Sequence, residues 1–202
     1  VSKATQAKVL EGAAIAFGRI GYARVRVEDI LEAAGVSRPT FYKVYASKDE
    51  VFEALSERHH NEIRKRIQAA ADAHDNAAMQ LYAMVEAFLR WRAGLGPLGR
   101  VLDLEARRPN TILNKHRALT LKRLTKLSRD ITIASGREPA DPVMTNALIC
   151  AHESVADALL VSDNVDESAI QRAINICFRV AAGALALPGD PLPPIPEEPK
   201  TR

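Results

Sequence analysis

The sequence predicts an all-α protein, and three observations carry that prediction. Apolar residues recur at three- and four-residue intervals along most of the 202 residues, Gly and Pro stand at the breaks between those runs, and alanine is abundant while aromatic residues make up only 5%. Small side chains at helical spacing let helices pack closely. With 47% hydrophobic residues, the chain can bury one sizeable core beside a second, small unit.

Three helices are expected in the first 45 residues. The second begins near Arg26. Val27, Ile30, Leu31 and Ala34 fall at helical spacing, and Glu28 and Asp29 sit in the first turn, where carboxylates favour the positive end of the helix dipole. Gly35 suits the left-handed conformation that ends a helix, Val36 turns inward, and Ser37 caps the next helix. Pro39 lies early in that helix, where its missing N–H costs nothing.

The third helix is expected from Arg38 to about Tyr45, with Arg38, Thr40, Tyr42 and Lys43 toward its N-terminal end. That end meets base edges and phosphates when such a helix enters a major groove. Two amphipathic helices across a glycine turn also describe a plain helical hairpin. The basic and hydroxyl side chains after the turn favour a DNA-reading helix-turn-helix.

Charge points the same way. The net charge of +3 is modest, but residues 1–48 hold eight Lys and Arg against four acids, so the excess of positive charge coincides with the helix-turn-helix. A charge run alone is usually a solvated face. Its coincidence with the motif favours a phosphate-facing surface.

Six more helices follow. The first runs from Lys48 to about Ala71, with Val51, Phe52, Leu55, Ile63 and Ile67 apolar. The others cover about Asn76 to Ala93, Leu98 to Arg107, Thr111 to Ala134, Pro142 to Val161 and Glu167 to Leu187, with breaks at Gly94 to Pro97, Arg108-Pro109, Gly136 and Pro139. The total is nine. From Leu187 onward the proline-rich LPGDPLPPIPEEPKTR cannot continue a helix, and reads as a disordered tail or a polyproline strap on the body.

The run from Val9, VLEGAAIAFGRIGY, through VEDILEAAGVSRPTFY to YASKDEVFEAL resembles, without a gap, the N-terminal domain of the tetracycline-repressor (TetR) family of transcriptional regulators. The resemblance covers about the first quarter of the chain. Three positions depart from the family pattern: Arg26 stands where Thr usually caps helix two, Val44 where His often precedes the closing aromatic, and Tyr45 where that aromatic is Phe.

The resemblance implies a nine-helix, two-domain, TetR-like architecture. It sets a three-helix DNA-binding head at 1–47 against an effector-binding and dimerisation body at 48–187, with the tail at 188–202. The DNA-contacting set is then Arg26, Ser37, Arg38, Pro39, Thr40, Tyr42, Lys43, Tyr45 and Lys48. Arg38 and Thr40 are expected on base edges, Tyr42, Lys43 and Lys48 on phosphates, and Arg26 near the backbone at the start of helix two.

Two body features leave more than one reading open. Leu81, Met84, Phe88 and Trp91 line one face of a helix that Tyr82, Val85 and Leu89 make apolar over most of its circumference. Such a face fills a core or lines a pocket. The resemblance implies an effector pocket for a small apolar molecule, shared with Leu104, Leu113, Leu121 and Met144. Ala147, Ala151 and Val155 form one small-residue stripe, and Ile174, Cys177 and Ala181 another. These suit an internal core or an interface, and the resemblance assigns them to a homodimer that reads a palindromic operator.

Other function classes find little support. The five histidines are scattered, the cysteines Cys150 and Cys177 show no ligand spacing, and Gly94 to Gly99 reads as an interhelix turn because no strand precedes it. Neither catalysis, a metal nor a cofactor is expected. No stretch approaches the roughly 20 apolar residues that cross a bilayer, and no hydrophobic signal segment opens the chain, so a cytosolic protein is expected. A competing reading keeps DNA binding but replaces the small-molecule effector with a protein partner or an architectural role.

Overall fold

The computed structural model describes residues 2–161, 166–186 and 193–195. Among them are nine α-helices: α1 Lys3–Ile20, α2 Val27–Ala34, α3 Arg38–Tyr42, α4 Lys48–Asp72, α5 Ala77–Leu95, α6 Pro97–Ala106, α7 Ile112–Ala134, α8 Pro142–Val161 and α9 Glu167–Leu185. The described residues contain no strand. None of the helices is long and apolar enough to cross a membrane.

The ends of the helices have local causes. Asn76 Oδ1 accepts from the N–H of Ala78, Asp141 Oδ1 from that of Val143 and Asp166 Oδ1 from that of Ala169, each satisfying a donor that the first turn leaves unpaired. Gly35 at φ 58° and Gly136 at φ 73° close α2 and α7 in the left-handed region. The third helix is shorter than expected, ending at Tyr42 rather than Tyr45. Its last turn tightens through Lys43, Val44 and Tyr45 N–H donors to Pro39 and Phe41 carbonyls, which draws Tyr45 into the core.

The chain divides into two compact units, each built from two separate stretches. One comprises residues 1–62 and 95–119, the other 63–94 and 120–202. The sequence-based division at residue 47 follows the order of the motifs, whereas these units follow packing.

The first unit packs Val9, Ala13 and Phe17 of α1 with Ile30, Phe41, Val51 and Phe52, and the same core takes in Leu102, Ala106 and Leu113. Phe52 lies 4.6 Å from the rings of both Phe17 and Tyr22. Gly12 permits the close crossing of α1 and α2, since a Cβ there would lie 2.4 Å from the backbone nitrogen of Ala34. The second unit packs Tyr82, Val85 and Leu89 of α5 with Ala156 of α8 and with Ile174, Cys177 and Phe178 of α9. Tyr82 meets Phe178 edge-on at 5.3 Å, and its hydroxyl accepts from Gln171 Nε2 at 2.8 Å.

Candidate functional site

The helix-turn-helix presents a polar face built by its own caps. The Arg26 N–H donates to Asp29 Oδ2 at 2.7 Å, which starts α2 without the usual hydroxyl cap. Ser37 Oγ accepts from the Thr40 N–H at 3.3 Å and lies 2.8 Å from Thr40 Oγ1, so both hydroxyls order the start of α3. Arg38, Pro39 and Lys43 are exposed, and Tyr42 is 48% exposed with its ring edge-on to buried Phe41 at 5.3 Å.

The structure places two of the expected contact residues elsewhere. Tyr45 is only 4% exposed and belongs to the core of the first unit, because the chain turns inward after α3. Lys48 donates from Nζ to the Tyr22 carbonyl at 3.0 Å and the Val25 carbonyl at 2.9 Å, with the ammonium 5.0 Å from the Tyr22 ring centroid. It clasps the turn between α1 and α2. Asp49 completes the clasp by accepting from the Tyr22 hydroxyl at 2.8 Å, and burial together with that carboxylate raises the Tyr22 phenol to about 12.

One residue that sequence reasoning passed over as a dipole partner also belongs to this face. Glu28 pairs with the Arg38 guanidinium. A backbone hydrogen bond, followed by that guanidinium, holds the Glu28 carboxyl below the usual range. Its spacing in sequence gave no signal, because the pair spans two helices and the turn between them.

In the second unit a cavity of about 110 Å³ is lined by Leu81 and Met84 of α5, Ile131 and Thr132 of α7, and Leu185 of α9. The other expected pocket residues are not in its wall. Phe88 packs against the core of this unit, and Trp91 and Leu121 are partly buried. Met144 is exposed in the first turn of α8. Leu104 is 67% exposed, since α6 turns Leu102 and Ala106 inward, and Leu113 belongs to the core of the first unit.

The expected interface stripes divide as well. Ala147 and Ala151 of α8 are exposed and Val155 is partly buried, whereas Ile174, Cys177 and Ala181 of α9 are buried in the core of their own unit. The face that α9 leaves open carries Ile176, Val180 and Gly183 beside Arg172 and Arg179. Burial pushes the Cys177 thiol up to about 11, so it behaves as an apolar core group. No group of three or more His, Cys, Asp or Glu with the geometry of a metal site occurs among the described residues.

Residues 9–55 match the family described as bacterial regulatory proteins, tetR family. The match spans the helix-turn-helix segment, about the first quarter of the chain. No curated protein is similar to it in sequence. Solved structures share the tetR-type fold. The fatty acid degradation regulator FadR from Bacillus halodurans superposes with a TM-score of 0.74 at 18% identity, over 88% of this chain and 96% of that one. FadR from Bacillus subtilis, solved in complex with stearoyl-CoA, gives 0.71 at 18% identity over 85% and 97%. SmeT in complex with triclosan gives 0.69 at 19% identity over 96% and 100%. At these identities the likeness concerns the nine-helix tetR fold and leaves the ligands to those proteins.

Proposed function

We propose that this protein is a DNA-binding transcriptional regulator of the tetR family, acting as a repressor in the cytoplasm. The observation that carries the reading is the exposed row of Arg38, Tyr42 and Lys43 on a helix started by Ser37 and Pro39, within a segment that matches a bacterial regulator family. Arg38 and Thr40 read base edges in the major groove, Tyr42 and Lys43 hold phosphates, and Arg26 approaches the backbone. Residues 1–47 form the DNA-binding module and residues 48–187 the regulatory and dimerisation module. Two copies pair through α8 and α9, matching a palindromic operator, and a bound dimer represses by obstructing polymerase.

A small apolar effector entering the cavity beside Leu81 and Met84 releases the operator. The stearoyl-CoA and triclosan complexes of FadR and SmeT support a ligand-responsive body in this fold. The size of the cavity favours a second reading, control by a protein partner with no small-molecule effector. About 110 Å³ is well below the roughly 300–1,000 Å³ typical of ligand pockets.

Selection of bound sequences from random duplexes, followed by titration across salt concentration, tests the DNA reading. Lys43→Ala is expected to weaken binding to all duplexes and to lower the salt slope by about one, and Arg38→Ala to cost roughly 1–3 kcal/mol mainly on the selected sequence. Equal binding by wild type and the double variant at every salt concentration rejects the assignment.

A further inference from the structure

The cavity of the second unit is walled by three helices and by one stretch that is not helical. Leu81 and Met84 come from α5, Ile131 from α7 and Leu185 from α9, and Pro193 joins them in the wall. Ile195, two residues further on, is partly buried and packs against the apolar core of the same unit. Residues 193–195 therefore lie against the unit and take part in enclosing its cavity.

The parts of this wall are held very differently. The helices α5, α7 and α9 are continuous over 19, 23 and 19 residues, so moving one of them disturbs packing along its whole length. The short segment has no such hold. Pro193 and Pro194 carry no N–H with which to fasten it, and Pro194 is exposed, which leaves Ile195 as its apolar anchor. Proline also fixes φ in the free chain, so laying the segment down costs little conformational entropy. A weak hold suffices to keep it closed, and a modest competitor suffices to lift it.

Size shows when lifting is needed. At about 110 Å³ the closed chamber is smaller than an engineered apolar cavity of about 150 Å³ that takes benzene. A molecule with an aromatic ring needs more room than the closed chamber has. The hydroxyls of the wall are spent on α7 itself, where Thr132 Oγ1 donates to the Arg129 carbonyl at 2.8 Å and Ser135 Oγ to the Thr132 carbonyl at 2.8 Å. That leaves the apolar side chains to meet a guest.

We propose that residues 193–195 form a strap that closes the cavity, with Ile195 as its anchor and Pro193 as the displaceable wall, and that an apolar aromatic molecule binds by lifting it. The proposal takes the cavity to be the effector site of the regulator reading and adds the segment that controls its occupancy. Linkage then sets the affinity. The apparent dissociation constant of such a molecule is its intrinsic value divided by the fraction of chains with the strap lifted, and loss of the burial of Ile195 changes that fraction by roughly tenfold.

The test titrates the full chain with N-phenyl-1-naphthylamine, an uncharged aromatic probe that fluoresces in apolar surroundings, and follows isoleucine methyl signals by NMR and duplex binding on the same samples. Ile195→Ser identifies the Ile195 methyl by its loss from the spectrum. As the probe saturates, that signal is expected to move to the position of a solvent-exposed isoleucine, and Ile195→Ser is expected to bind the probe about tenfold more tightly than wild type. Leu104→Ser, which removes an exposed apolar group from the first unit, should bind the probe as wild type does. Ala78→Phe, which narrows the chamber from α5, should weaken the probe with or without Ile195→Ser while leaving the helical circular dichroism unchanged.

Probe binding that leaves the Ile195 signal in place, equal affinity of wild type and Ile195→Ser, or tight binding by Ile195→Ser that survives Ala78→Phe would overturn the proposal. Absence of probe binding by both wild type and Ile195→Ser, in chains that still bind their selected duplex, also overturns it and leaves the DNA reading standing. A probe that lifts the strap yet leaves duplex affinity unchanged keeps the strap and rejects the effector reading.

Discussion

Arg38 stands at the exposed end of α3 and is already engaged, because Glu28 of α2 pairs with its guanidinium. A carboxylate on a face that meets phosphates opposes binding, and it also limits where the arginine fork points. Glu28→Gln is thus expected to raise affinity for every duplex and steepen the salt slope by up to about one, while the ratio of selected to random affinity falls. Competition titrations on both duplexes check this, and an unchanged ratio would show that the pair does not orient Arg38. Lys48 makes the opposite case. Its ammonium serves two backbone carbonyls, so Lys48→Met should destabilise the first unit by roughly 1–3 kcal/mol in urea melts without changing the salt slope. The sequence shows a lysine at the end of a basic segment; it does not show the Tyr22 and Val25 carbonyls turned toward it.

Helix α9 shows what periodicity contains and what it omits. Ile170, Ile174, Cys177 and Ala181 repeat at helical spacing, which locates an apolar stripe but not the surface that covers it, and the covering surface is α5 and α8 of the same unit. A charge at Ala181, 1% exposed, therefore has no solvent to reach, and Ala181→Glu should cost several kcal/mol and unfold the second unit. Ala151 is exposed on α8, so Ala151→Glu should keep its helical signal and, under the proposed pairing, sediment as a monomer. A folded Ala151→Glu dimer would place the interface elsewhere. The same two helices meet at His152, whose Nε2–H donates to the Cys177 carbonyl at 3.2 Å. Burial lowers the His152 pKa from its ordinary 6.5, against the raising effect of that hydrogen bond. Below 6.5 the unfolded chain binds a proton that the folded state resists, so the stability linked to this group is complete above 6.5 and lost as pH falls through the folded value. Melting curves from pH 8 to pH 5 should show this loss in wild type, and His152→Gln should remove its share.

At the scale of the molecule, helix number and most helix ends are legible because local chemistry sets them: Gly35, Gly136 and Pro97, and the capping residues Ser37 and Asp166. The recognition surface is legible in outline through Arg38, Tyr42 and Lys43, while Tyr45 is not, since only the tertiary path shows the chain turning inward after Tyr42. The pocket is legible through Leu81 and Met84 alone, because an apolar residue such as Leu104 or Leu113 does not announce which neighbour it meets.

The interleaved composition of the two units has a consequence for protein engineering. Leu102, Ala106 and Leu113 complete the apolar interior that begins with Val9 and Phe17. A chimera that grafts only residues 1–47 onto a foreign body leaves those three positions, and Val51, Phe52 and Leu55 of α4, to whatever side chains the recipient offers there. One that transplants residues 95–119 together with 1–62 moves the interior as a whole, and should give a graft that keeps its donor's melting behaviour.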